Sequence, residues 1–168
     1  MTDERSCRQE ALRQLARRDY SRAELAHKLT LKFSGPAEQA EHVSQVIATV
    51  LDQLQQGQLL SDQRYATQRV RNRAPRFGNA RLRQELQEKG VGSEEISAAL
   101  ASSEDEVSRC YEVLQRKYGK AEPLATLAFP EQSKERARRL RFLQARGFSL
   151  GVIQKALKMT DTDYTDVE

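Results

Sequence analysis

One pattern occurs three times in this chain of 168 residues: an aromatic residue, a small residue directly after it, and aliphatic residues five and nine positions beyond the aromatic. Aliphatic side chains four positions apart lie on one face of an α helix. We therefore predict that each aromatic fills the corner between two helices and that both aliphatics lie on the buried face of the second helix. The structural anchors predicted in this way are Tyr20, Leu25 and Leu29, Phe77, Leu82 and Leu86, and Phe148, Ile153 and Leu157.

Helix-start and helix-stop signals predict an all-α fold of three tandem, helix-turn-helix-like repeats of three helices each. Ser21 with Glu24 forms a capping box, in which each side chain bonds a backbone N–H group left free at the helix start. Ser103 with Glu106 has the same spacing. Pro75 ends the helix before it, because proline lacks an N–H group and clashes with the preceding turn. The predicted boundaries are residues 1–57, 58–102 and 103–160 for the repeats and 161–168 for a flexible acidic tail.

The composition favours an extended arrangement of small helical units over one large globule. Hydrophobic residues make up 38% of the chain and the mean hydropathy is −0.75, which leaves little apolar surface for a single core. No apolar run approaches the roughly 18–20 residues of a membrane span, and the charged N-terminus lacks the pattern of a secretory signal. The two cysteines have no metal or redox spacing, so we expect free thiols in a reducing cytoplasm.

Charge is distributed in zones along the chain. Seven arginines and no acidic residue lie between Asp62 and Glu85, and seven Lys or Arg residues and no acidic residue lie between Glu135 and Asp161. The stretch from Glu85 to Glu106, in contrast, has seven acidic residues against a single lysine. Two cationic segments separated by an acidic one indicate a long polyanionic partner that is contacted at intervals. The alternative is that the arginines only solvate exposed helix faces.

The candidate contacts are arginines, whose planar guanidinium groups suit phosphates and carboxylates. Aromatic residues suited to base stacking are not interleaved with them, so nucleic-acid contact is expected to be directed at the backbone and sensitive to salt. The candidates in the first cationic segment are Arg64, Arg69, Arg71, Arg73, Arg76, Arg81 and Arg83. Those in the second are Arg136, Arg138, Arg139, Arg141 and Arg146.

The sequence contains no catalytic constellation. His27 lies mid-helix between apolar positions, His42 lies in an acidic stretch, and neither a GxxxxGK phosphate-binding loop nor a GxGxxG motif is present. The C-terminal DTDYTDVE has the carboxylate density of a calcium-binding loop. It lacks the glycine at the sixth position of such a loop and ends before the glutamate at the twelfth. We therefore predict no catalytic residue, no metal, no cofactor and no enzyme activity.

Residues 57–91 resemble the signature of the bacterial RecX regulatory proteins. That signature reads aromatic-Leu-Asp-Asp-x-Arg-aromatic-Ala, then an arginine-rich helix, then Gly-x-x-Arg-hydrophobic-x-x-Glu-Leu-x-x-Lys-Gly-hydrophobic. The segments RKYG and RFLQARGFSLGVIQKAL are also similar to that family, so the resemblance covers nearly the whole chain. The sequence departs from it at Ser61, where Asp is common, and at Arg76 and Phe77, where Gly and Tyr are common. The matching positions are Leu60, Asp62, Arg64, Tyr65, Ala66, Gly78, Arg81, Leu82, Glu85, Leu86, Lys89, Gly90 and Val91.

The resemblance implies an elongated, curved chain of three-helix repeats that binds the helical groove of the RecA–single-stranded DNA filament. It implies inhibition of filament extension and of the recombinase, ATPase and co-protease activities. That would place the chain in the regulation of homologous recombination, DNA repair and the SOS response. The candidate arginines would contact this filament, including single-stranded and duplex DNA backbones. We expect a cytoplasmic monomer with no membrane contact.

The residues alone leave a second function open, that of a tandem helix-turn-helix transcriptional regulator which reads duplex DNA. Asn79, Arg83 and Gln84 would be its base-reading residues in the second repeat. Gly151 and Gln154 suit this role poorly in the third repeat. Binding to one duplex sequence far more tightly than to random duplex would favour the regulator.

Overall fold

The computed structural model describes residues 3–119 and 124–162, and within those ranges it contains nine α helices and two single-turn 3-10 helices. This confirms the predicted all-α class. The last helix continues to Thr162, two residues into the predicted tail, and residues 163–168 lie outside the described residues. The helices are α1 (Glu4–Leu15), α2 (Arg22–Phe33), α3 (Ala40–Gln56), α4 (Asp62–Arg73), α5 (Asn79–Glu88), α6 (Ser93–Ala101), α7 (Glu106–Tyr118), α8 (Phe129–Gln144) and α9 (Leu150–Thr162).

The chain divides into two compact units. Unit 1 comprises Met1–Gln68 and Leu86–Ala99, and unit 2 comprises Arg69–Glu85 and Leu100–Glu168. Helices α4 and α5 each contribute residues to both units. The boundaries of the three sequence repeats stay a prediction. Along the described part of the chain, no helix combines the length and the apolar composition that crossing a membrane requires.

The core of unit 1 is built on the apolar stripe of α3. Val43, Ile47, Val50, Leu51 and Leu54 recur at three- and four-residue spacing and are all buried, because that spacing returns to the same side of a helix every turn. Helices α1 and α2 pack against this stripe. The predicted anchors of the first motif copy lie in the same core and are 0–5% exposed; they are Tyr20, Leu25 and Leu29.

The core of unit 2 lies between α7 and α9. Its α7 side consists of Cys110, Val113, Leu114 and Tyr118, whereas Val107 and Tyr111 are only half-buried. The opposing side chains come from the end of α8, from the α8–α9 loop and from α9. These opposing side chains are 0–3% exposed and are Leu143, Phe148, Ile153, Ala156 and Leu157. Three of them, Phe148, Ile153 and Leu157, are the predicted anchors of the third motif copy.

In all three copies the motif marks a helix start. Helices α2, α5 and α9 begin two residues after Tyr20, Phe77 and Phe148, so the small residue stands at the N-cap position. The aromatic then precedes the N-cap and the first aliphatic occupies the fourth helical position. Apolar residues at these two places form a hydrophobic staple, which fixes the angle at which the chain enters a helix. The local role of the motif is therefore to set three helix entries.

The start of α2 makes a tertiary contact that we call the α2 joint. The Ser21 hydroxyl accepts the Glu24 N–H (3.1 Å), as an N-cap does, and donates to the Lys89 carbonyl (2.5 Å). Asp62 accepts the N–H of Arg22, the first residue of the helix, at 2.7 Å. Gly90, which has a φ of +70°, lies so close to α2 that a Cβ there would overlap the side chain at position 23. All these residues belong to unit 1.

The start of α5 repeats this arrangement in unit 2, and we call it the α5 joint. Glu106, like Asp62 the first residue of its helix, accepts the Asn79 N–H at 2.7 Å. The Gly78 N–H donates to the Arg146 carbonyl at 2.9 Å. A Cβ at Gly78 would overlap the Gly147 backbone, and Gly147 has a φ of +84°. The capping residues of the two joints lie 57 positions apart, and so do their glycines at 90 and 147. The small motif residue therefore also admits a neighbouring backbone.

The start of α7 differs from the sequence prediction. The helix begins at Glu106, and the Asp105 carboxylate caps it by accepting the N–H groups of Val107 (3.0 Å) and Ser108 (3.1 Å). The Ser103 hydroxyl instead donates to the Leu100 carbonyl at the end of α6. The capping box predicted at Ser103 is wrong, because Asp105, directly before the helix, is the N-cap residue.

Candidate polyanion-binding surface

Three of the predicted contact arginines converge on one carboxylate, that of Glu85 on α5. Arg73 forms two hydrogen bonds with it, at 2.6 and 3.2 Å. Arg81, four residues before Glu85, lies 3.5 Å from the nearer carboxylate oxygen, and Arg69 lies 3.7 Å away. The Glu85 side chain is 16% exposed, and its hydrogen bond with Arg73 is the main reason that the pKa of its carboxyl lies below the ordinary value. Three of the six arginines between positions 69 and 83 are thus partly neutralised.

Phe77 lies between two of the same guanidinium groups. The Arg73 guanidinium lies 4.3 Å and the Arg81 guanidinium 5.3 Å from the centre of its ring, within the range of a cation–π contact. Its ring is half-buried, unlike the aromatic residues of the other two motif copies. Phe77 therefore combines a packing role with the positioning of two arginines.

Three further arginines of α4, α5 and the loop between them have side chains without a partner among the described residues. Arg71, Arg76 and Arg83 are exposed, and their side chains form no hydrogen bond or ion pair with any residue that the structure describes. Their guanidinium groups are available to a phosphate or carboxylate of another molecule. We call these three residues, together with Arg69, Arg73 and Arg81, the α4–α5 surface.

Arg64, the first candidate in the cationic segment, has a different environment. It belongs to unit 1, where it pairs with Asp19 at 3.1 Å. It also donates to the carbonyls of Gln58 (3.1 Å) and Leu59 (3.0 Å). Its guanidinium therefore closes the loop between α3 and α4.

The candidates on α8 also fall into two groups. Arg139 is buried, pairs with Glu135 at 3.1 Å and lies 5.1 Å from the ring centre of Tyr118. Arg146 is half-buried over the ring of Phe142, at 3.8 Å. The exposed candidates are Arg136, Arg138 and Arg141. The Arg138 guanidinium lies 3.8 Å from the Glu135 carboxylate, which is a long distance for an ion pair.

Two of these exposed residues, Arg138 and Arg141, border an open groove of about 1020 Å³ between the end of α7 and α8. Lys117 and Lys134 line it as well and were not among the predicted contacts. The helical spacing of Lys134, Arg138 and Arg141 along one side of α8 could have identified Lys134. The groove has five cationic side chains against two acidic ones; these are Lys117, Lys134, Arg138, Arg139 and Arg141, and Glu131 and Glu135.

Both cationic surfaces belong to unit 2. Unit 2 carries 18 lysines and arginines against 12 acidic residues, whereas unit 1 carries 10 against 12. The net charge of +4 is therefore entirely due to unit 2.

Among the described residues, no group of three or more His, Cys, Asp or Glu side chains is arranged to hold a metal ion.

Arg109 positions the α4–α5 surface, and the sequence analysis did not identify it. Its side chain is 2% exposed and donates to the backbone carbonyls of Ala74 (3.2 Å) and Phe77 (2.9 Å) and to the Asn79 amide oxygen (2.5 Å). A further hydrogen bond of 3.0 Å reaches the Glu104 carbonyl. The buried guanidinium of Arg109 thus holds the loop that carries Arg76 to α7. The residues around Arg109 in the sequence give no indication of this role.

Comparison with known proteins places these features in one family. A family model described as "RecX, second three-helix domain" matches residues 61–100, and one described as "RecX, third three-helix domain" matches residues 104–157. Proteins named "Regulatory protein RecX" are 40% identical in Leptothrix cholodnii, over 92% of this chain and 88% of that one, and 38% identical in Ralstonia nicotianae, over 93% and 89%. The crystal structure of RecX from Lactobacillus salivarius shares the fold, with a TM-score of 0.73 at 19% identity over 95% of this chain and 97% of that one.

Proposed function

This chain belongs to the RecX family, which is a family of regulatory proteins and not of enzymes, and we propose that it is a negative regulator of the RecA recombinase. In this proposal it binds the filament of RecA on single-stranded DNA and stops the filament from growing. The recombinase, ATPase and co-protease activities that depend on the filament fall in consequence. The setting is the cytoplasm, in DNA repair and the SOS response.

The observation that carries the proposal is the set of unpaired arginines on the α4–α5 surface. Arg71, Arg76 and Arg83 are exposed without an acceptor in the described part of the chain. A guanidinium group without an internal partner can form charge-assisted hydrogen bonds with a phosphate or carboxylate at little desolvation cost. A filament of protein and DNA offers both kinds of acceptor at every subunit.

The α7–α8 groove supplies a second contact in the same unit. Lys134, Arg138 and Arg141 are exposed on one helix, next to Lys117 at the end of α7. Two weak cationic contacts on one chain bind a repetitive polyanion more tightly than either does alone, because the second contact forms at high effective concentration. We therefore propose that a monomer is sufficient for activity.

The proposed contact set is smaller than the one predicted from sequence. It omits six arginines whose guanidinium groups already have a partner within the protein, namely Arg64, Arg139 and Arg146, and the three that pair with Glu85, which are Arg69, Arg73 and Arg81. It retains the three unpaired arginines of the α4–α5 surface and the exposed residues of α8. The retained set is Arg71, Arg76, Arg83, Arg136, Arg138 and Arg141.

The duplex-reading regulator is less well supported. Asn79 was one of its base-reading residues, and its amide oxygen accepts a hydrogen bond from Arg109. An asparagine reads adenine with both its oxygen and its nitrogen, so this bond removes half of the recognition group. A gel shift that compares one duplex sequence with random duplex tests this alternative directly.

The test of the proposal is ATP turnover by RecA on single-stranded DNA with this protein titrated in. We expect turnover to fall with added wild-type chain, and the triple variant R71A/R76A/R83A to inhibit much less. The control is R5A/R8A/R17A, which removes three exposed arginines from unit 1. Inhibition by the α4–α5 variant at the wild-type level would reject that surface as the contact, and no inhibition by the wild type would reject the function.

A further inference from the structure

Glu85 is the only acidic residue between Asp62 and Glu88, and it lies where three arginines of the α4–α5 surface meet. We propose that Glu85 is an internal competitor for nucleic-acid phosphates. It pairs with Arg69, Arg73 and Arg81, so that this surface presents three available arginines instead of six. The inference rests on the proposed function only in that both concern the same surface.

The competition is effective because the carboxylate is largely enclosed. With a side chain that is 16% exposed, Glu85 interacts with its partners in a medium of lower dielectric than water. Salt screens such contacts less than it screens exposed pairs. A guanidinium already bound to a carboxylate gains little by moving to a phosphate, and it contributes little to the release of counterions from a nucleic acid.

The three arginines are not held equally. Arg73 forms two hydrogen bonds to Glu85 and lies over the Phe77 ring, and it is the least exposed of them at 31%. Arg69 is 41% exposed, lies beyond hydrogen-bond distance from Glu85, and its buried Nε has no acceptor. Arg81 is 49% exposed and is held at 3.5 Å. Removing the charge of Glu85 therefore releases Arg69 and Arg81, whereas Arg73 stays over the Phe77 ring, which it contacts more closely (4.3 Å) than Arg81 does (5.3 Å).

The release of arginines can be counted from the salt dependence of binding. For a single strand, each phosphate contact steepens the plot of log affinity against log salt concentration by roughly 0.7. In the wild type, Arg71, Arg76 and Arg83 contribute about −2 to this slope. In E85Q the slope becomes about 1.4 more negative, because two more arginines reach phosphates. The affinity of E85Q for a single strand is correspondingly higher at low salt.

The experiment is a fluorescence-anisotropy titration of dye-labelled oligo(dT) with the full chain over a series of NaCl concentrations. The matched control is E112Q, which removes one charge from unit 2 at an exposed pair with Arg116, where both side chains are 55% exposed. Such a pair is weak, so Arg116 is already available and the slope is expected to stay at the wild-type value. An E85Q slope equal to that of the wild type or of E112Q would overturn the proposal.

Two alanine variants in the wild-type background test the same idea without changing Glu85. Arg81 and Arg83 lie two residues apart on α5, but only Arg81 contacts Glu85. We expect R83A to flatten the slope by about 0.7 and R81A to leave it unchanged. In the E85Q background, R81A should flatten it as well. Equal effects of R81A and R83A in the wild type would contradict the proposal, even if E85Q does not fold.

The titration contains no recombinase, so its failure is distinct from a failure of the proposed function. If ATP turnover shows no inhibition but the slopes differ as expected, the function is wrong and the role of Glu85 stands. If turnover falls but the slopes are equal, the function stands and the role of Glu85 is wrong. Absence of oligonucleotide binding by both wild type and E85Q at low salt would also overturn the inference.

Discussion

At the scale of single residues, Arg109 shows how a buried charge can stabilise a functional loop. Its guanidinium has four acceptors, three of them backbone carbonyls, and no carboxylate among its hydrogen-bond partners. Burial lowers the pKa of Arg109, since the charged form is taken out of water. The hydrogen bonds offset this cost only when all the acceptors are in place.

We expect Arg109→Met to reduce the free energy of unfolding by about 2–4 kcal/mol, because methionine keeps much of the volume but leaves the carbonyls of Ala74 and Phe77 without a donor. Urea unfolding followed by circular dichroism measures the change. The control is Arg116→Met on the exposed side of the same helix, for which we expect less than about 0.5 kcal/mol. Equal midpoints for the two variants would show that water satisfies these carbonyls.

Glu10 makes the stability of the chain dependent on pH. Its buried carboxylate accepts hydrogen bonds from Lys32 (2.6 Å) and Gln14 (2.7 Å) and pairs with Arg13, and these contacts lower its pKa from 4.5 to about 2. A carboxyl with a lower pKa in the folded state stabilises that state above the unfolded-state pKa. This contribution is lost as the pH falls from 4.5 towards 2.

Glu10→Gln should therefore lower the urea midpoint at pH 7 and have a smaller effect at pH 3, where the wild type has lost part of the same contribution. Glu41→Gln, at an exposed position on α3, is the control and should change neither midpoint. A difference between wild type and Glu10→Gln that is the same at both pH values would show that Glu10 acts through packing and not through its charge.

At the scale of elements, the two joints explain the form of the repeated motif. The aromatic and the aliphatics are needed by the helix itself, as a staple and a buried face. The small residue is needed by the neighbouring loop, since Ser21 bonds Lys89 and Gly78 bonds Arg146. The third copy has Ser149 at the start of α9, two residues after Gly147, so it lies close in sequence to the glycine of the α5 joint.

Gly147→Ala tests the α5 joint. Its φ of +84° disfavours any residue with a Cβ, and the new methyl group would overlap Arg81, so we expect a loss of about 2–3 kcal/mol in the free energy of unfolding. Gly151→Ala on α9 is the opposite case, because nothing lies within 4 Å of its added Cβ. It should stabilise the helix by about 0.5–1 kcal/mol. Thermal unfolding with shifts of the same sign in both variants would contradict this account.

Some features of the elements could be predicted from sequence and others could not. The start of α2 directly after Ser21 followed from its capping residue, because a cap acts over three or four residues. On α7, Cys110 and Val113 share the buried face with Leu114 and Tyr118, whereas Val107 and Tyr111, at helical spacing before that pair, are only half-buried. A helix with several apolar residues has more than one candidate face, and only its packing partner selects among them.

At the scale of the whole molecule, charge is divided between the two compact units. Unit 2 carries the net positive charge and contains both cationic surfaces, while unit 1 has a slight excess of acidic residues. Each surface offers only a few available cations, so neither alone is expected to bind a polyanion tightly at physiological salt. The proposed activity therefore depends on both contacts acting on one repetitive partner.

The sequence by itself determined the family, the zones of charge, the helical class and most helix limits. The helical class and the helix limits could be predicted because they depend on neighbours within about one helical turn. Only the tertiary structure decided which arginines remain available. Arg69 and Glu85 are 16 positions apart, and Arg109 and Ala74 are 35 apart. Whether such distant groups meet depends on how the helices pack, and packing is set by the shape of the buried side chains and not by the charge pattern along the chain.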